Sequence, residues 1–180
     1  LTDALRQNKN AHLAVEAIRN DLAPVITVGT GEFDSHTKSQ YASHPASVLR
    51  GMKAVAEIAE GLEDTAMPDG KTLLDYTTIV VSSEFSRTPN KNELGGKHHW
   101  SANSMIMIGK GCKGGKNGPT VAGECDGGVN AQPMNPDTGG FKKHTETIEM
   151  THGLATILAM AGIDPIPYFG PFDPVVPLIG

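Results

Sequence analysis

The residues best suited to chemistry sit in two polar loops, each directly after a strand-like apolar run. Val25-Ile26-Thr27-Val28-Gly29-Thr30 leads into Gly31-Glu32-Phe33-Asp34-Ser35-His36. Thr78-Ile79-Val80-Val81-Ser82 leads into Ser83-Glu84-Phe85-Ser86-Arg87-Thr88-Pro89, and a third cluster, Lys97-His98-His99-Trp100, follows. Carboxylates and imidazoles delivered from separate strands to one sheet edge are what a metal-assisted hydrolase needs. In open α/β sheets that edge, beyond the carboxyl ends of the strands, is where ligands bind.

Each member of the set has a second reading. Asp34 and His36 are two apart, so on a continuing strand they share a face and form a bidentate metal clamp. The alternative is an Asx-turn beside a surface histidine. Glu84 is a candidate metal ligand and Arg87 a planar fork for an oxyanion, or the two form an exposed ion pair worth little. Of His98 and His99, a loop usually turns only one towards a given site, and tandem surface histidines are also common. Trp100 and His152 read as packing residues, and His44 as a cap or surface residue. His12 and His144 carry no signal. Gly109-x-Gly111-x-x-Gly114 matches a dinucleotide fingerprint formally, but it opens a loop rather than a helix.

The elements that must position these groups follow from periodicity. Residues 1–20 have helical spacing, and residues 25–30 read as a buried parallel strand. Residues 45–62 form a helix with Pro45 near its start, and residues 76–83 a second strand. Strand, helix, strand is a βαβ unit with a right-handed crossover, which makes the class α/β with a parallel sheet. A short third strand is expected at 104–108 and a last amphipathic helix at 147–162. Between them lies a Gly/Pro-rich excursion at 110–142, and a proline-rich tail runs over 163–180.

Length and composition fit this reading. The 180 residues suffice for one domain, and 38% hydrophobic with 19% charged residues is an ordinary globular balance. A formal net charge of −5 argues against nucleic acid as a partner, and no apolar run is long enough for a transmembrane segment. Cys112 and Cys125 read either as a disulfide or as two free thiols, since their spacing fits no common zinc pattern. The sequence begins at Leu1 in a helical pattern, which suggests residues upstream.

Several of these segments together resemble a family. Gly31-x-Phe33-Asp34-Ser35-His36 is similar to the Gly-Gly-aromatic-Asp-Thr-His signature of the secreted bacterial domain-of-unknown-function family 1501. Ser83-Glu84-Phe85-Ser86-Arg87-Thr88-Pro89 resembles its Ser-Glu-Phe-Gly-Arg-Thr-Pro. The His98-His99 cluster, the glycines from Gly109 to Gly115 and the helix from Gly153 to Asp164 follow in the family's order, so the resemblance spans residues 13–165. Departures are Glu32 and Ser86 in place of glycines, and Lys97 where relatives often carry Asp.

The resemblance implies the alkaline phosphatase and sulfatase superfamily and a doubly wound, mostly parallel sheet with helices on both faces. The chain would be its C-terminal portion, with the nucleophile in an N-terminal half or a partner chain. It further implies a periplasmic or extracellular location and a divalent metal, zinc, calcium or magnesium. Asp34, His36, Glu84 and His98 or His99 would hold that metal, and Arg87 would steady a small phosphate or sulfate ester. Phe85 stands where phosphatases place a histidine, leaving a second metal site one imidazole short. The alternative is a non-catalytic component of a surface or periplasmic assembly.

Overall fold

The computed structural model describes residues 8–114, 118–143 and 148–180. Helix α1, Lys9–Arg19, starts at Asn8, whose side chain accepts from the backbone N–H of Asn10 and Ala11. Those two bonds satisfy amides that a helix start leaves unpaired. The part of the expected helix at residues 1–7 lies outside the described residues.

Helix α2, Lys38–Glu63, begins well before the expected residue 45. Thr37 and Gln40 form a reciprocal cap: the Thr37 hydroxyl accepts from the Gln40 N–H, and the Gln40 side chain accepts from the Thr37 N–H. This capping box outweighs the proline, so Pro45 lies inside the helix instead of opening it.

The strands are short. β1 is Thr78–Val81, β2 Ser86–Arg87, β3 His99–Trp100 and β4 Ile106–Gly109. β1 pairs with β4 and β2 with β3, giving two separate two-stranded sheets. The expected doubly wound, mostly parallel sheet with helices on both faces is therefore not present among the described residues. Residues 25–30 are not a strand. Val25 is 81% exposed, although Val28 packs against the core. An apolar, β-branched run has the composition of a buried strand, but a strand needs a neighbour to pair with. Without that strand there is no βαβ crossover.

The chain divides into two compact units, residues 1–79 with 87–99 and residues 80–86 with 100–180. In the first, α1 and α2 pack together around Ala11, Val15, Ala54, Ile58, Leu62 and Leu73. Gly61 permits the contact, since a Cβ there would press on Val15 at 3.0 Å. In the second, helix α3, Met150–Met160, buries Ala155, Thr156 and Met160. Thr147, at the expected start of this helix, lies outside the described residues, as do His144 and Gly115.

The proline-rich tail is tied to α3 and to the glycine-rich loop. Thr156 Oγ1 donates to the His152 carbonyl and accepts from Val175 N–H, while Lys113 N–H donates to the Leu178 carbonyl. His152 has a structural place, its Nδ1 accepting from Glu149 N–H and its ring set edge-on to Phe172. Among the described residues, no helix opens directly after the Gly109–Gly111 turn, which speaks against the dinucleotide reading. Both cysteines are free thiols, with Cys112 half-buried and Cys125 exposed. No described helix is long and apolar enough to cross a membrane.

Candidate functional site

Within the first unit, the loop before α2 is seated by its own side chains. The Phe33 ring lies over Gly51, where a Cβ would come within 2.9 Å of the ring, and faces His44 edge-on. Ser35 is fully buried, and among the described residues its hydroxyl has no hydrogen-bond partner. Between these anchors Asp34 turns outward. Its Oδ1 accepts from Ser35 N–H and its Oδ2 from Gln40 Nε2, so the same glutamine caps the helix and holds the carboxylate.

Arg87 bridges this loop and its neighbours. Its Nη2 lies 3.1 Å from Asp34 Oδ1 and its Nη1 3.1 Å from His36 Nε2. His36 Nε2 is also 2.9 Å from His99 Nε2 and 3.4 Å from Asp34 Oδ1. A guanidinium only donates. In its contact with Arg87, His36 Nε2 is therefore the acceptor. Arg87 is 16% exposed, whereas the Asp34 side chain is 52% exposed, so the fork is held from behind and the carboxylate faces solvent.

A second loop fixes the first. Asn92 Nδ2 donates to the His36 carbonyl, while its Oδ1 accepts from Leu94 N–H and Gly96 N–H. Lys97 N–H donates to the Ser35 carbonyl at 2.7 Å, and Lys38 N–H to the Leu94 carbonyl. A Cβ on Gly96 would overlap the backbone of Ser35 and His36, so only glycine allows this approach. Lys97 Nζ donates to the Thr88 and Pro89 carbonyls, tying the residues after Arg87 to those before His98.

The structure thus brings together Asp34, His36, Arg87 and His99 from the expected set. His98 stands beside them, its ring 6.0 Å from that of His36 and its Nε2 3.8 Å from Glu93. Glu84 belongs to the second unit, where it is exposed. Sequence reasoning missed Gln40, Asn92 and Gly96. The Thr37-x-x-Gln40 capping pattern could have revealed the first, while the other two act through contacts that sequence spacing does not encode.

Chemically, two imidazole nitrogens and a carboxylate oxygen are the donor types of a zinc site. In the arrangement described, the Arg87 guanidinium supplies the positive charge among them. Among the described residues no group of three His, Cys, Asp or Glu side chains is set to hold a metal ion. A guanidinium fork beside imidazoles is also suited to a tetrahedral oxyanion.

Comparison with known proteins adds one finding. The family model described as "Protein of unknown function (DUF1501)" matches residues 4–172. No curated protein and no solved structure matches the chain.

Proposed function

The chain belongs to the DUF1501 family, and for this member we propose a metal-dependent, hydrolase-like site acting on a phosphate or sulfate ester. The observation that carries the reading is the convergence of His36, His99, Asp34 and Arg87 on one point, with Nε2 to Nε2 at 2.9 Å and both guanidinium contacts at 3.1 Å. On this reading Asp34, His36 and His99 would turn from their contacts with Arg87 and each other to hold a divalent cation, zinc, calcium or magnesium, with Glu84 and His98 the further candidates. When bound, the cation polarises an ester oxygen as a Lewis acid. Arg87, contacted at Nη1 by His36 and at Nη2 by Asp34, would present its guanidinium to the non-bridging oxygens. The alkaline phosphatase and sulfatase superfamily and a periplasmic or extracellular setting belong to this proposal, supported by the Asp34-x-His36 and Glu84–Pro89 motifs.

The test is hydrolysis of 4-nitrophenyl phosphate and 4-nitrophenyl sulfate with each of the three cations added. Arg87→Lys, which loses the planar fork, is expected to lower kcat/KM roughly 10–100-fold, the worth of a hydrogen bond to a charged group. Absence of hydrolysis with every cation would sink the enzymatic reading. One observation favours a second reading, a non-catalytic binding component: Arg87 already neutralises Asp34 without a metal. That reading expects binding of inorganic phosphate or sulfate with no turnover.

A further inference from the structure

We infer that Asn92 is a positioning residue whose side-chain amide sets the separation of the His36 and His99 imidazoles. The two rings come from distant parts of the chain, and their Nε2 atoms meet at 2.9 Å with ring centroids 4.8 Å apart. Neither is anchored through its helix or sheet alone. His36 precedes the cap of α2, and His99 opens β3, a strand of two residues. What joins them is the turn at residues 92–97.

Asn92 is the centre of that turn. Its Oδ1 accepts from Leu94 N–H at 3.0 Å and Gly96 N–H at 2.9 Å, which shapes the turn itself. Its Nδ2 donates to the His36 carbonyl at 2.9 Å, which binds the turn to the other loop. One side chain therefore has an inward half that folds the turn and an outward half that holds His36. The chain continues from this turn through Lys97, bonded to the Ser35 carbonyl, into His98 and His99. The backbone contact at Gly96 leaves no slack between the two loops. Displacing the His36 backbone moves its ring relative to His99 while leaving the core of the unit, built on α1 and α2, untouched.

The two halves can be separated. Asn92→Asp keeps the acceptor for Leu94 and Gly96 and replaces the donor to His36 with an oxygen that cannot donate. Asn92→Ala removes both halves and risks the turn. Asn90→Asp, at an exposed neighbour, makes the same change of charge and serves as control.

The experiment is an NMR measurement of the ring-to-ring NOE between His36 and His99, paired with a Zn2+ titration of each protein. In Asn92→Asp, with helical content and melting close to those of the parent, the NOE weakens or disappears. The control keeps it. The titration part rests on the proposed metal site, where loss of an outer partner typically costs about 10–100-fold in affinity. A folded Asn92→Asp protein with an unchanged NOE overturns the inference, whatever the metal does. Failure of the parent protein to bind Zn2+ overturns the metal reading alone, and the NOE still decides the role of Asn92. If Asn92→Asp does not fold, Asn92→Ser gives the same decision, since its hydroxyl can serve the turn but falls short of the His36 carbonyl.

Discussion

Arg87 is the residue on which the site turns, because its side chain touches both Asp34 and His36 through permanent donors. Substitution by lysine keeps the charge and loses the fork, so the account expects impaired oxyanion binding in a protein that still folds. The residue scale also yields a contrast between the two thiols. Burial pushes the Cys112 thiol up, away from its ordinary range, whereas Cys125 is exposed. A raised thiol pKa means less thiolate at a given pH. Alkylation with iodoacetamide near pH 8, followed by peptide mass spectrometry, is expected to label Cys125 before Cys112. Equal rates would contradict the burial of Cys112. At this scale much was legible in the sequence: Asp34, His36, Arg87 and His99 were all singled out by type and spacing, and the structure gathers them. Glu84 falls in the second unit, because a motif fixes the order of residues along the chain and not which compact unit each joins.

At the scale of elements, the site depends on two loops held against α2, and glycines mark both contacts. Gly96→Ala places a methyl group on the backbone of Ser35 and His36, which cannot yield as a flexible side chain does. Overpacking typically costs about 1–3 kcal/mol, and a backbone clash lies at or above the top of that range. Urea unfolding should show this loss, and an unchanged midpoint would refute the close approach. Gly51→Ala meets the edge of the Phe33 ring and the Thr30 hydroxyl, both side-chain atoms, so its effect should be smaller, with the Asp34 loop displaced and the helix intact. Helix positions were partly legible, since α2 shows clear periodicity. Its start was misplaced at Pro45 because proline is a strong boundary signal and a capping box is a quieter one. The run at residues 25–30 misled in the opposite way. Its composition suits a strand, yet strand formation depends on a pairing partner that local sequence does not reveal.

At the scale of the molecule, the expected parallel sheet gives way, among the described residues, to two separate pairs of short strands. Family membership was legible from the motifs, and the family match over residues 4–172 bears it out. Sheet topology was not, because it is a property of long-range pairing. In the second unit, one buried hydroxyl helps to hold the tail to α3. Thr156→Val removes the acceptor for Val175 N–H, and leaving a buried donor unpaired costs about 1–3 kcal/mol. Hydrogen exchange at the Val175 amide should accelerate accordingly, while amides of α1 and α2 keep their protection. Loss of protection throughout the chain would contradict a local role for this bond.

The most direct test of the central claim is elemental analysis of the protein after incubation with Zn2+, Ca2+ or Mg2+ and exhaustive dialysis. The account predicts a stoichiometric divalent ion that is lost in both Asp34→Ala and His36→Ala, each of which removes a donor from the cluster. A protein that retains no ion, or one whose ion content is unchanged in both variants, would contradict it.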